Sequence, residues 1–554
     1  MVKLISGGSL ITKILFQHGI NKAFCVPGES YLGILEAIRN YKNRFDLVVC
    51  RHEGGASYMA ETYGRLTKKP GICLVTRGPG ACNAAIGVHT AYHEGTPMIL
   101  FVGQVPVNSL NKNAFQSIDP DKVFKSMCKY STTIKDQKNI KETIEKAISI
   151  SMDGKPGPVV ITVPEDIQFA MIKETNCKLN QIKNIKSNIN MINRLTRCLS
   201  NSSNPIIILS GSKWTQSMKT NLETFAKKHS IPIAVTFRKG DLFNNQHKNY
   251  IGSIGVGPDS NLISYAENSD LVLLIGGEFG EIETKKFARF KKSDDKQLIF
   301  HVTSDPKIIK NTKSSYKILG SNLESFCKTL NELKIENKPL WNKSITYLRK
   351  SYESYRIPKV FKNRSNPGVA IKDISDIVSN NTIITAGAGN YTHFVLRHHV
   401  FKKLNTLLAP INAPMGYSVP SAIAAALINR KKEVICYAGD GCFMMNFQEI
   451  VIAVARNLNI TFIIFNNGIY GSIRMHQELK YPGKSIATDL NNPNFLALAN
   501  SFGIKAIDVD DPKHLIKNYI NLRKGYKGPI LINMMTDPFI INPQKTISEL
   551  SSPS

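Results

Sequence analysis

The sequence predicts an α/β protein of three doubly wound parallel-sheet domains, and three observations carry that expectation. At 554 residues the chain is too long for a single core. Short apolar, strand-like runs alternate with stretches of helical periodicity, the mark of parallel sheets with helical crossovers. This alternation recurs in three segments separated by polar, charged stretches. No short repeat accompanies it, so three similar domains are expected and a solenoid is not.

The first segment, residues 1–178, opens on "MVKLISGGSLITKILFQHG", whose apolar residues fall at helical spacing. It lacks both the apolar block and the small-residue cleavage site of a signal peptide, so a cytoplasmic protein is expected. Strands follow at "KAFCVPG", "DLVVCRHE", "GICLVTRGPG", "MILFVGQVP" and "GPVVITVPED", several ending in Gly or Pro turns. A polar linker, Lys178–Asn190, leads to the second segment, 190–335, with "PIIILSG", "IPIAVTF", "DLVLLIGG" and "QLIFHVT". A charged stretch near Lys334–Ser365 precedes the third, 360–545, with "NTIITAGAGN", "EVICYAGDG", "ITFIIFNNG" and "PILINMM".

A hydrophobic content of 42% with 20% charged residues describes an ordinary globular protein. No apolar run reaches the ~18 residues of a membrane helix, so no membrane association is expected. The net charge of +29 raises the question of nucleic acid. Lysines are spread thinly, however, and stretches such as "KKFARFKKSDDKQ" are interrupted by acids, so the bias reads as solvated surface and no nucleic-acid partner is expected. The ten cysteines form no CxxC pair, and several sit in apolar runs (Cys25, Cys50, Cys73, Cys436). They read as reduced core thiols.

The chemistry concentrates where two of these strands stop. "EVICYA" ends in Gly439-Asp440-Gly441, "FMMNFQEIVIAVARNL" has helical periodicity, and "ITFIIF" ends in Asn466-Asn467. One βαβ unit would place Asp440 and Asn467 at the carboxyl ends of neighbouring parallel strands, the edge where open α/β sheets bind ligands. A carboxylate and an amide oxygen are hard donors suited to Mg²⁺. Gly439 and Gly441 let the backbone approach a phosphate, and the helix after them offers free N–H groups. Gly-Asp-Gly alone is a common turn. The 27-residue interval from Asp440 to Asn467, spanning a complete βαβ, turns it into a candidate Mg²⁺–diphosphate anchor. At the other end of the chain, "DLVVCRHEGGASYMAETYGR" puts Glu53 where a strand gives way to a helix. Glu53 is thus either at a second ligand edge or simply a favourable charge on a helix N-terminus.

Taken together, these motifs resemble the thiamine diphosphate enzymes, marked by Gly-Asp-Gly followed after about 25–30 residues by Asn. The resemblance extends over nearly the whole chain and is strongest to the acetolactate synthase branch. It implies that Asp440, Asn467 and the backbone carbonyl of Ile469 hold Mg²⁺. Gly439, Gly441 and the backbone N–H of Cys442, which stands where Ser or Ala is more usual, would line the diphosphate. "TAGAGNYTHF" resembles the loop closing over that group, with Gly389 and Asn390 as contacts. In "APMGYSVPSAIAAAL", Met415 lies 25 residues before Asp440, at the place of the apolar wedge that bends thiamine; core packing is nearly the same physical role. Glu53 would protonate the aminopyrimidine. "VTRGPGACNAAIGVHTAYHEGTPMILFVGQVP" resembles the branch's Gly-Pro-Gly region, with Gly78, Pro79 and Gly80 in a tight turn. In the family the cofactor lies between the first domain of one chain and the third of another. A homodimer or homotetramer with its sites at the dimer interface follows, and a regulatory subunit is a further partner the branch allows.

"NAFQSID" resembles the branch's Ala-Phe-Gln-Glu, which would bring Phe115 beside the substrate with Gln116 offering an amide. The His-His pair of pyruvate decarboxylases is absent from this region. The implied activity is a carboligase, decarboxylating a 2-oxo acid and adding the enamine to a second carbonyl. The alternatives are a 2-oxo acid decarboxylase or lyase on the same scaffold and, in another class, a non-catalytic regulatory protein. Retention of Glu53, Asp440 and Asn467 speaks against the last. Three departures bear on the choice. "VPGES" puts Glu29 and Ser30 where Pro-Gly-Gly is typical; Glu29 is either a second acid beside the reacting carbon or a helix cap. Arg474 and His476 stand near where the branched-chain enzymes carry a Trp, and serve either an acidic or polar substrate or a solvated helix face. Glu278 stands where flavin-binding relatives usually carry Arg, which weighs against FAD and leaves that cofactor open.

Overall fold

The computed structural model describes residues 3–41, 43–175, 185, 188–290, 296–310, 316–335, 341–361 and 365–551. Most of the linker Lys178–Asn190, and parts of the charged stretches around 291–295 and 334–365, lie outside the described residues.

Three six-stranded, wholly parallel sheets form, as the alternation predicts. The first runs in spatial order Asp46–Val49, Lys22–Cys25, Gly71–Val75, Met98–Gln104, Pro158–Pro164, Tyr130–Thr133. The middle sheet runs Tyr250–Ile254, Ile233–Thr236, Pro205–Leu209, Leu271–Ile275, Leu298–Thr303, Lys317–Gly320. The third runs Leu407–Leu408, Ile383–Ala386, Val434–Gly439, Ile460–Asn466, Ile530–Met535, Lys505–Val509. Numbered along the chain within each sheet, the first and third share the order 2-1-3-4-6-5, while the middle sheet has 3-2-1-4-5-6. Central strands such as Gly71–Val75, Met98–Gln104, Leu271–Ile275 and Ile460–Asn466 are buried along their full length, which is why they read as continuous apolar runs. A small antiparallel pair, Leu4–Ser6 with Met171–Lys173, was not foreseen.

Two compact units can be distinguished. One comprises Met1–Lys183, Pro410–Arg430 and Met445–Leu458; the other comprises Asn184–Ala409, Lys431–Met444 and Asn459–Ser554. In the first unit, helix Glu53–Thr67 is buried on almost every side, from Gly54 to Arg65. It packs against helices Gly78–Glu94 and Ser418–Ile428. Its inward polar groups are satisfied: Tyr417 donates to Glu61 at 2.7 Å, Thr96 donates to the same carboxylate at 2.8 Å, and Arg65 pairs with Glu94 at 3.1 Å.

In the second unit, Val434–Gly439 pairs in parallel with Ile460–Asn466, Gly439 opposite Phe465. This register brings Asp440 and Asn467 to the same end of adjacent strands. The crossover differs from the long helix expected after "GDG". A helix starts at Asp440 itself and ends at Met444; a 3₁₀ turn spans Phe447–Glu449, and helix resumes at Ile450–Ala455. The break falls at Asn446 (φ −141°, ψ 25°), whose amide turns back to donate to the Gly416 carbonyl at 2.9 Å. None of the nine described cysteines forms a disulfide. The core reading holds for Cys25, Cys50, Cys73, Cys327, Cys436 and Cys442, whereas Cys82 is exposed and Cys128 and Cys198 are half-buried.

Candidate active site

The order of the third sheet reverses between Ile383–Ala386 and Val434–Gly439, and a crevice opens at the carboxyl ends of strands at such a point. The loop Gly387–Asn390 leaves one of these strands and Asp440 follows the other. Asp440 is 2% exposed. Its Oδ1 accepts from Gly441 N at 2.9 Å, and its Oδ2 accepts from Gly468 N at 2.8 Å and from the Asn492 amide at 2.7 Å. Burial pushes its carboxyl above the usual aspartate range, and these neutral donors offset only part of that. Asn467 Oδ1 accepts weakly from Ile469 N at 3.3 Å, and the Ile469 carbonyl accepts from Gly471 N at 3.0 Å. A Cβ on Gly441 would come within 2.5 Å of the Tyr470 ring, so only glycine fits there. Tyr391 accepts from Gly387 N at 2.8 Å and donates to Cys442 Sγ at 3.5 Å, tying the Gly387–Asn390 loop to the Gly-Asp-Gly turn.

Asn390 stands apart from these groups. Its Oδ1 accepts from Ser472 Oγ at 2.6 Å, yet its Nδ2, though buried, makes no hydrogen bond. A buried donor with no acceptor costs on the order of 1–3 kcal/mol. Such a group is expected where a ligand supplies the acceptor, and it lies beside Gly389 (φ +127°) in the loop assigned to diphosphate. The donor set therefore fits a hard dication with an anionic tail: one buried carboxylate, one amide oxygen and one backbone carbonyl for the metal, and an unmatched N–H for a phosphate. Gly389, Asn390, Gly439, Asp440, Gly441, Cys442, Asn467 and Ile469 all fall at this one sheet edge.

A second cluster lies in the first unit. Glu53 is the first residue of its helix, whose N-cap is His52, with Nδ1 accepting from Gly54 N at 3.0 Å. Its Oε2 accepts from the Asn83 amide at 2.9 Å. Gly78-Pro79-Gly80, expected as a tight turn, opens helix Gly78–Glu94, and this first helical turn comes close: a Cβ on Gly80 would sit 3.3 Å from Glu53 Oε1. Gly78 N donates to the Gln116 carbonyl at 2.9 Å, and Arg77 donates to the Phe115 carbonyl at 3.3 Å. Phe115 and Gln116 are thereby gathered beside the turn that faces Glu53. Phe115 is 77% exposed and Gln116 has a left-handed φ of +57°. Glu29 is exposed in a 3₁₀ turn, Glu29–Tyr31; its N-cap is Gly28 and no side chain caps it. The buried Ser30 shares a hydrogen bond with Thr76 at 2.9 Å. Met415, half-buried in the same unit, accepts from Tyr58 OH at 3.1 Å through its carbonyl.

The structure corrects one reading of the substrate region. Arg474 is not free to meet an acidic substrate: it donates to Thr488 Oγ1 and to Asp489, each at 2.6 Å, and fastens helix Gly471–Lys480 to the following loop. His476 is exposed on that helix. Sequence reasoning missed Asn492, Ser472 and Asn83, the partners that orient Asp440, Asn390 and Glu53. Asn492 and Ser472 come from segments with no motif of their own, and Asn83 lies three residues past the Gly-Pro-Gly motif without being part of it.

The middle sheet does not fit a flavin dinucleotide. At its carboxyl edge the buried Glu283 carboxylate takes the N–H groups of Phe237 at 3.1 Å and Gly280 at 2.9 Å, donors a phosphate would need, and the exposed Glu278 adds a further negative charge.

Comparison with known proteins bears on both edges. Residues 5–123 match the thiamine pyrophosphate enzyme N-terminal TPP binding domain, 192–330 the central domain, and 387–534 the C-terminal TPP binding domain. Relatives along nearly the full length include the acetolactate synthase catalytic subunit of Saccharomyces cerevisiae, a mitochondrial protein, at 25% identity over 96% of this chain and 81% of that one. The acetolactate synthase large subunit of Haemophilus influenzae is 27% identical over 93% of this chain and 91% of its own. That of Lactococcus lactis is 28% identical over 93% and 90%. Among the described residues no helix is long and apolar enough to cross a membrane. Three matched domains in chain order, each overlapping one of the three parallel sheets, make this chain a member of the thiamine pyrophosphate enzyme family.

Proposed function

We propose that the protein is a thiamine diphosphate-dependent carboligase of acetolactate synthase type, acting on a 2-oxo acid. The single observation that carries the reading is the third-sheet edge, where a buried Asp440 carboxylate and an unmatched Asn390 amide converge at the switch in strand order. The acetolactate synthases among its near-full-length relatives and the Phe115–Gln116 segment beside Glu53 support the choice of chemistry. Bound thiamine diphosphate would supply the electron sink through which a 2-oxo acid loses CO₂ and its remaining carbons join a second carbonyl.

The chain's own residues would do the rest. Asp440, Asn467 and the Ile469 carbonyl hold Mg²⁺; Gly389, Asn390, Gly439, Gly441 and Cys442 receive the diphosphate. Met415 supplies apolar support to the cofactor. Glu53 is fixed through Oε2 by Asn83, which leaves Oε1 to hold the proton exchanged with the aminopyrimidine nitrogen. Phe115 excludes water beside the acceptor, and Gln116 orients it. The proposal keeps three domains, 1–178, 190–335 and 360–545, and a homodimer or larger homo-oligomer in which Glu53 of one subunit serves a cofactor held by another. The exposed Glu29 favours one second reading, a decarboxylase that protonates the product carbon and releases an aldehyde.

Supplying pyruvate with Mg²⁺ and thiamine diphosphate distinguishes the two by product: an acetohydroxy acid for the carboligase, free aldehyde for the decarboxylase. Co-expressing Glu53→Gln with Asp440→Ala tests the shared site. Each variant alone is inactive, and random pairing restores roughly a quarter of wild-type activity. Failure of the preparation to take up thiamine diphosphate with Mg²⁺ overturns the whole reading.

A further inference from the structure

Nine residues beyond Asp440 in the chain, Glu449 is completely buried within the first unit. Its carboxylate meets the three residues joining strand Asp46–Val49 to the helix that begins at Glu53. Oε1 accepts from Arg51 N at 3.0 Å and from His52 N at 2.9 Å, and Oε2 accepts from Arg51 N at 3.2 Å. The first turn of the Glu53 helix rests on the same group: a Cβ on Gly55 would lie 2.7 Å from Glu449 Oε1 and 2.8 Å from its Cγ. A glycine is therefore required two residues after Glu53, for contact with this side chain.

We propose that Glu449 is the positioning residue for Glu53: by gripping the Arg51–His52 peptide it fixes the direction in which the Glu53 helix starts, and so the aim of the Glu53 carboxylate. This rests on the reading of Glu53 as the group that exchanges a proton with the cofactor. An apolar residue would leave two N–H groups of the turn without an acceptor, and a carboxylate holds them more firmly than an amide because each bond is charge-assisted. Burial first, and then the charge of Glu53, push the Glu449 carboxyl up to about 7, against the pull of the Arg51 and His52 bonds and the Arg51 charge. The Cys50 thiol also lies near it. Helix Ser418–Ile428, which packs against the Phe447–Glu449 turn, and helix Ile450–Ala455, which continues from it, carry no charged residue. The folded-state value lies above the ordinary 4.5. The stabilising contribution of this group is thus fully present below about 4.5 and is lost as pH rises through about 7. The grip on the turn tightens over the same interval as the carboxylate ionises.

Backbone amide exchange of the 50–53 segment, followed by mass spectrometry on the cofactor-free oligomer at pH 6 and pH 8, tests the grip directly. After correction for intrinsic rates, the wild-type segment should be better protected at pH 8. Glu449→Gln should exchange about tenfold faster or more and lose the pH difference, because the charge-assisted acceptor is gone. Gly55→Ala, which displaces the carboxylate without removing it, gives a second route to the same loss should Glu449→Gln fold poorly. In the Mg²⁺–thiamine diphosphate holoenzyme, exchange of the thiazolium C2 proton should slow about tenfold in both variants, with cofactor affinity within about threefold of wild type. Glu449→Asp should recover part of both. Wild-type amide protection and C2 exchange in Glu449→Gln overturn the proposal. If Glu53→Gln also exchanges C2 at the wild-type rate, the reading of Glu53 itself has failed; if Glu53→Gln is slow and Glu449→Gln is not, only the positioning role has.

Discussion

Two sheet edges in the second unit were built by the same physics and finished differently. In the third sheet, the loops at the switch in strand order leave Asp440 held by neutral donors only, and Asn390 with an amide that has no acceptor. In the middle sheet, the switch falls between Pro205–Leu209 and Leu271–Ile275, and the loops there close on one another. Ser210 N bonds the Ile275 carbonyl at 3.0 Å, Trp214 donates to the Ser210 carbonyl at 2.7 Å, and a Cβ on Gly277 would meet Gly211 N at 2.8 Å. Glu283 then takes the N–H groups of Phe237 and Gly280. A parallel sheet supplies a crevice wherever its order reverses. Whether that crevice is a site depends on whether the protein satisfies its own polar groups there.

The contrast can be tested, starting with the substitution of greatest effect. Asp440→Ala removes the buried carboxylate of the third-sheet edge and should weaken Mg²⁺-dependent thiamine diphosphate binding on the order of 100-fold or more by calorimetric titration. Because burial raises the Asp440 carboxyl, and metal needs it ionised, wild-type affinity should fall on acidification beginning above the ordinary aspartate value near 3.8. Asn390→Asp keeps the acceptor for Ser472 but sets an anion against the diphosphate, so affinity should drop roughly 10–100-fold. Asn492→Ala unfastens Asp440 without touching the metal, for a loss of about tenfold. Glu283→Ala, at the closed edge, should leave affinity within about threefold of wild type. It should instead lower unfolding stability by about 1–3 kcal/mol in denaturant titration, because the buried Phe237 N–H and the half-buried Gly280 N–H lose their acceptor. Cofactor affinity that responds to Glu283→Ala as strongly as to Asn492→Ala would erase the distinction.

The central strands were legible because burial on both faces leaves a continuous apolar run, as in Met98–Gln104 and Ile460–Asn466. Of the edge strands only Asp46–Val49 was read. Tyr130–Thr133 and Lys505–Val509 are largely exposed or half-exposed and carry polar residues, so no continuous apolar run marks them. Asp440 and Asn467 were legible because a βαβ unit fixes their spacing and sheet pairing fixes their neighbourhood. Asn492, Asn83 and Glu449 act through a few hydrogen bonds across long stretches of sequence, and single residues leave no periodic trace. Arg474 was left open between a substrate and a solvated helix face for a related reason: the sequence shows a cation but not Asp489, which engages it.

The first compact unit has a consequence for how the polypeptide is made. Its buried helix Glu53–Thr67 needs Ser418–Ile428 for cover, and the unit closes only at Leu458. A ribosome working at about 5–20 residues per second reaches that point tens of seconds after Lys183. During that interval the amino-terminal sheet is born without its lid, and chaperone demand should peak while the middle of the chain is still being synthesised.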